Sequence, residues 1–176
     1  MPGHSGSLDG LDVAPTDIEL NALAEQVAAR LKAADLMLVC AESCTGGWVA
    51  KVCTDLAGSS AWFSHGFVTY SNGAKQRLVG VSEDTLSAFG AVSQQTAQAM
   101  AWGARAGEAQ QVSVAITGVA GPSGGSADKP VGTVWFAWSL PDHPVMSEQA
   151  VFSGDRDAVR RHSVGYALSG VIRRLD

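Results

Sequence analysis

Three short stretches of this 176-residue chain concentrate the side chains that can do chemistry. In Glu42-Ser43-Cys44-Thr45-Gly46-Gly47, two hydroxyls and a thiol stand side by side between an apolar run and a helical pattern. A strand-to-helix turn of this kind offers a nucleophile together with backbone N–H groups for an oxyanion, and its glycines allow close backbone approach. The plainer role for Ser43 or Thr45 is to cap the helix. Tyr70-Ser71-Asn72-Gly73-Ala74-Lys75 gathers a phenol, a hydroxyl, an amide and an amine around a second helix start. Lys75 lies about one turn inside that helix, so its amine can reach back toward the cap. A lysine partly desolvated beside a hydroxyl can be neutral enough to act as a base, as in Ser-Lys hydrolases; left in water it is an ordinary surface lysine. The third stretch, Thr117-Gly118-Val119-Ala120-Gly121-Pro122-Ser123-Gly124-Gly125-Ser126, follows another apolar run and has the makeup of a backbone nest for an anion such as phosphate. No Gly-Lys-Ser/Thr closes it and it lacks the G-x-G-x-x-G spacing, so it is neither a Walker A loop nor a dinucleotide fingerprint.

Fewer signals surround these three. Arg156, between Asp155 and Asp157, opens the last helical segment, where it can clamp a phosphate or carboxylate or simply pair with a neighbouring acid. Cys44, next to a helix start, could be a low-pKa nucleophile or a small packed residue. His4, His65, His143 and His162 form no metal-binding pair, and of them His65 alone is placed to complete a triad with Ser43. Cys40, Cys44 and Cys53 make neither an even disulfide set nor a CxxC pair, which points to a reduced, cytoplasmic setting and no metal site.

The elements that must position these groups follow from periodicity. Leu20, Leu23, Val27 and Leu31 recur at helical spacing behind a Thr16/Glu19 capping box, predicting a first amphipathic helix. Apolar runs at 36–41, 62–70, 111–117, 131–139 and 147–152 predict five strands. Helices are expected behind the first turn, over 72–80, over 83–89, from Ser93 to about Glu108, and from Asp155 to Arg174. The last would face Val164, Leu168, Val171 and Leu175 inward. This order predicts a three-layer α/β/α sandwich around a mixed, mostly parallel sheet with one antiparallel member. In such sheets ligands bind beyond the carboxyl ends of the strands, where the three motifs converge.

Composition sets limits. With 46% hydrophobic and 16% charged residues the chain can bury a substantial core, and its length favours one domain over residues 15–176. Residues 1–14, rich in Gly, Ser, Asp and Pro without periodicity, are expected to form a flexible leader. Lys and Arg total 12 against 17 acids, a formal charge of -5, which argues against a surface that tracks nucleic acid. No secretory signal or apolar run long enough for a membrane span occurs.

Taken together, AESCTGGWVAKVCTDLAGSSAWFSHGFVTYSNGAKQRLVGV, GAVSQQTAQAMAWGA, SVAITGVAGPSGGSADKPVGTVWFAWS and FSGDRDAVRR resemble the CinA C-terminal domain family of nicotinamide-nucleotide amidohydrolases, from about Thr16 to Arg174. The resemblance implies a cofactor-free, metal-independent enzyme that hydrolyses the carboxamide of nicotinamide mononucleotide to nicotinate mononucleotide and ammonia in pyridine nucleotide recycling. It also implies a homodimer or higher homo-oligomer. By the same resemblance Ser43 matches the nucleophile, and Lys75 with Tyr70 its activating partners. Thr45, Gly46 and Gly47, with Thr117 and Gly118, would hold the oxyanion; Cys44, Gly121, Ser123, Gly124, Gly125 and Arg156 would contact substrate. The division of labour among Ser43, Cys44 and Thr45 stays open. Two other readings compete: a nucleotide-binding or regulatory module that uses the glycine loops without turnover, and a DNA-acting competence protein, which the acidic charge opposes.

Overall fold

The computed structural model describes residues 13–176, so the expected leader lies outside the described residues except for Val13 and Ala14. Helix α1 (Asp17–Ala34) begins with the expected capping box: the Thr16 hydroxyl accepts from the Glu19 N–H and the Glu19 carboxylate accepts from the Thr16 N–H. Its apolar stripe, Leu20, Ala24, Val27 and Leu31, is fully buried.

Strand β1 (Met37–Glu42) runs through the middle of the parallel part of a five-stranded sheet, with β2 (Phe63–Val68) on one side and β3 (Gln111–Gly118) on the other. Both neighbours are parallel to it, with Glu42 opposite Val68 and Ile116, so all three strands end at one edge. Strands β4 (Thr133–Ser139) and β5 (Met146–Val151) complete the order β2-β1-β3-β4-β5. Only β4 runs against the other four, as the close spacing of the last two strands predicted.

Side chains alternate between two helical layers. Leu38, Cys40, Val114, Ile116, Phe136 and Trp138 pack toward α1, α2 (Trp48–Thr54) and α6 (Arg156–Leu175). Val39, Ala41, Ala115 and Ala137 pack toward α3 (Asn72–Val79), α4 (Glu83–Phe89) and α5 (Gln94–Arg105). Among the described residues no helix is long and apolar enough to cross a membrane.

The structure shifts three of the expected boundaries. Strand β2 stops at Val68 because the next residues turn into the α3 cap, Thr69 donating its N–H to the Glu42 carbonyl. Helix α5 ends at Arg105 rather than near Glu108, since Ala106 adopts φ 52 and closes the last turn onto Trp102. Strand β4 starts after Gly132, whose N–H closes the base of the glycine-rich loop on the Val119 carbonyl.

One close approach sets where the lysine-bearing helix lies. A Cβ on Gly103 of α5 would fall 1.7 Å from the Val79 carbonyl oxygen at the end of α3. The obstacle is backbone, so no rotamer change relieves it. Gly103→Ala is therefore expected to cost about 1–3 kcal/mol, read as a lower denaturation midpoint in urea at unchanged slope.

Candidate active site

Ser43 follows the last residue of β1 and prolongs the ladder, its N–H donating to the Ile116 carbonyl at 3.0 Å. Alternation sends Glu42 toward α2 and Ser43 to the opposite face, toward α3. There Ser43 Oγ lies 3.0 Å from Lys75 Nζ. Helix α3 starts with Ser71, whose hydroxyl accepts from the Ala74 N–H, and Lys75 sits one turn in. Its amine donates to the main-chain carbonyls of Thr69 at 2.9 Å and Tyr70 at 3.4 Å.

Burial favours a neutral amine. The three oxygens around it match the three N–H groups of an ammonium; once neutral, the lysine keeps two N–H groups for the carbonyls and can turn its lone pair to the Ser43 hydroxyl. Lys75 is 1% exposed and Ser43 8%. Burial pulls the Lys75 pKa below its ordinary value of 10.5. Among the described residues no carboxylate touches the amine.

The pair opens into a cleft of about 350 Å³ at the carboxyl ends of the parallel strands. The first turn contributes Ser43 and Cys44; the start of α3 contributes Tyr70, Asn72 and Lys75. Thr117 and Gly118 come from the end of β3, and Gly121, Ser123, Gly124 and Gly125 from the loop beyond it. Arg156, the first residue of α6, closes the ring. Its guanidinium donates to the Gly121 carbonyl at 2.7 Å and to the Tyr70 hydroxyl at 3.2 Å. Among the described residues the cleft is lined by the Arg156 guanidinium and the Lys75 amine and by no acid, in a chain whose net charge is -5. Such a site selects an anionic ligand.

The structure places several of the expected site residues differently from the sequence reading. Thr45 is not a free nucleophile, because its hydroxyl donates to Glu42 Oε1 at 2.7 Å and the residue is fully buried. Gly46 cannot offer its amide to an oxyanion, since that N–H is donated to the Ser43 carbonyl at 3.0 Å. Thr45, Gly46 and Gly47 instead line a separate depression with Trp48, Lys51, Arg160 and Arg161. The Tyr70 phenol does not relay a proton to Lys75; it faces Arg156, and Tyr70 reaches the amine only through its carbonyl. Cys44 lines the cleft, but burial pushes its thiol up to about 12, the opposite of an activated thiolate. His65 pairs with Ser64 on β2, and among the described residues no histidine lines the cleft. Among the described residues no group of three His, Cys, Asp or Glu side chains is placed to hold a metal ion.

Four contributors escaped the sequence reading. Glu42 left a trace as a charged residue ending an apolar strand. Asn72 lay inside a recognised motif without a role of its own. Thr69 acts through its backbone, accepting from Lys75 while donating to the Glu42 carbonyl, and a main-chain contact leaves no mark in residue type. Arg160 of α6 donates to the carbonyls of Cys44 and Thr45 at 3.1 and 3.2 Å, more than a hundred residues away in sequence.

Comparison with known proteins places the chain in a family. The chain is 56% identical over 153 residues to the nicotinamide-nucleotide amidohydrolase PncC of Escherichia coli K12, covering 87% of this chain and 93% of that protein. It is 47% identical to the protein of that name from Pseudomonas putida, covering 88% and 96%. The crystal structure of competence/damage inducible protein CihA from Agrobacterium tumefaciens superposes with a TM-score of 0.85 at 42% identity, covering 92% of this chain and 97% of that one. The CinA C-terminal domain model matches residues 20–175, and with those elements, that cleft and these relatives the chain belongs to the CinA C-terminal domain family.

Proposed function

We propose that residues 15–176 form an amidohydrolase that converts nicotinamide mononucleotide and water to nicotinate mononucleotide and ammonia, in pyridine nucleotide recycling, by a serine-lysine mechanism. The observation that carries the reading is the buried 3.0 Å contact between Ser43 Oγ and Lys75 Nζ, at one end of a cleft whose side chains suit an anionic ligand. A pure binding module has no use for an amine that can turn its lone pair to a hydroxyl.

The steps follow from the groups present. Lys75 Nζ takes the Ser43 proton as Oγ adds to the carboxamide carbon. Negative charge then collects on the amide oxygen. Of the backbone amides bordering the cleft, those of Cys44 and of the Thr117–Gly118 segment are the candidates to hold it. Lys75 returns its proton to the leaving nitrogen, ammonia departs, and an ester links Ser43 to the nicotinoyl group. Water, deprotonated by the same amine, cleaves that ester and frees Ser43. Arg156 and the Gly124–Gly125 turn, whose positive φ values of 87 and 81 are open to glycine, suit the phosphate and ribose.

Ammonia release from nicotinamide mononucleotide by the purified chain is the direct test. Ser43→Ala is expected to lower kcat by about 10³-fold or more while nucleotide binding persists. Lys75→Met is expected to lower kcat by about 10²–10⁴-fold, with binding again spared, and turnover that survives it would remove Lys75 as the base.

The pH profile has a definite sign. Lys75 works only when deprotonated, so kcat rises with pH through its pKa, and burial sets that limb below the ordinary lysine value of 10.5. Lys75→Arg, always protonated, is not expected to restore the limb.

Thiol chemistry separates Ser43 from its neighbour. With its pKa at about 12, Cys44 is expected to be thiolate in roughly 1 molecule in 10⁴ at pH 8, against about a quarter for a free cysteine. Iodoacetamide should therefore leave the native chain unlabelled by mass spectrometry and label it once denatured. Rapid native labelling at Cys44 with loss of turnover would move the nucleophile there.

A further inference from the structure

Glu42 is the one acid buried among the described residues: it is 1% exposed and makes no salt bridge there. Both of its oxygens are filled by donors. Oε1 accepts from the Thr45 hydroxyl at 2.7 Å and the Val49 N–H at 2.8 Å; Oε2 accepts from the Ala50 N–H at 3.2 Å and faces Cys40 Sγ at 3.5 Å. The surroundings are otherwise apolar, with Cys40, Val49, Val52 and Cys53 in the same core cluster. Replacing Glu42 alone by an apolar side chain would leave the Thr45 hydroxyl and the Val49 and Ala50 N–H groups buried without an acceptor. The contacts that offset the cost of burying this group also have a positional task.

The task is visible in what lies between its contacts. Residues 43–47 carry Ser43; within the turn the Gly46 N–H is donated to the Ser43 carbonyl and the Trp48 N–H to the Thr45 carbonyl, while Gly46 and Gly47 adopt φ 59 and 97, values that glycine reaches without fixing them. Glu42 reaches over this turn, gripping Thr45 in its middle and the first amides of α2 beyond it. Its own carbonyl is meanwhile held by the Thr69 N–H and hydroxyl, in the residue whose carbonyl receives Lys75 Nζ. One residue thus ties the nucleophile turn, the helix behind it and the segment that carries the base.

We propose that Glu42 is a positioning residue for hydrolysis: by locking Thr45 and the start of α2 it fixes the turn that holds Ser43 Oγ against Lys75 Nζ. This rests on the amidohydrolase reading. Glutamine is no substitute, because either orientation of its amide places an NH₂ against a donor that Glu42 now accepts from. Thr45→Val removes the middle contact while keeping the shape of the side chain.

The test is a double-mutant cycle on the full chain with Glu42→Gln, Thr45→Val and both together. It is read by kcat and KM for ammonia release from nicotinamide mononucleotide and by the rate at which a fluorophosphonate labels Ser43. Each single variant is expected to lower kcat and the labelling rate by about tenfold or more with KM within about twofold, the double losing little beyond the worse single. Single variants with kcat and labelling within about twofold of the parent, a rise in KM in place of a fall in kcat, or losses that multiply would each overturn the proposal. If Glu42→Gln does not fold, Thr45→Val alone decides. Should the parent release no ammonia, the amidohydrolase reading fails, and the labelling rates alone decide whether Glu42 positions Ser43.

Discussion

A lysine amine buried beside a serine hydroxyl is the constraint around which this molecule is arranged. Taking an ammonium out of water is costly unless a carboxylate accompanies it, and among the described residues none touches Lys75. The chain meets that cost by favouring the neutral amine and by providing two carbonyls, those of Thr69 and Tyr70, for its N–H groups. Both carbonyls come from the short connection between β2 and α3, so the element that presents the lysine also satisfies it. The close crossing of α5 at Gly103 then holds α3 against the sheet.

The nucleophile is placed by a different economy. Ser43 sits where three parallel strands end together, one residue past the last buried position of β1, and strand alternation alone sends it to the α3 side. Two backbone bonds close the turn, Gly46 N–H to the Ser43 carbonyl and Trp48 N–H to the Thr45 carbonyl, and side chains from outside brace it. Glu42 grips it from the α2 layer, and Arg160 of α6 holds the carbonyls of Cys44 and Thr45. Arg160 and Arg161 in turn lie over the Trp48 ring at 5.1 and 4.9 Å, which anchors that part of α6 to the start of α2.

Charge is divided in the same way. Acids outnumber bases over the chain, yet among the described residues the cleft is lined by Lys75 and Arg156 and by no acid. Among the described residues Arg156 makes no contact with a carboxylate and holds neutral oxygens, the Gly121 carbonyl and the Tyr70 hydroxyl. A ligand carrying a formal negative charge competes well for such a guanidinium, because it adds the attraction of opposite charges to the hydrogen bond.

The sequence by itself determined the layers, the one antiparallel strand and most element boundaries, because burial periodicity and caps are local properties of the chain. It also brought Ser43, Lys75, Arg156 and the glycine-rich loop to one edge, since strand ends and helix starts follow from those same patterns. It left Ser43, Cys44 and Thr45 unresolved, because three neighbouring nucleophiles have the same spacing to everything else. Tertiary structure separated them. Alternation at the end of β1 turned Ser43 to the amine, Glu42 consumed the Thr45 hydroxyl, and burial raised the Cys44 thiol out of reach of ionisation. The turn glycines, Tyr70 and Arg160 were misjudged or missed for a related reason. Their roles depend on which backbone amide or carbonyl another element reaches across space, and a residue's type does not encode that.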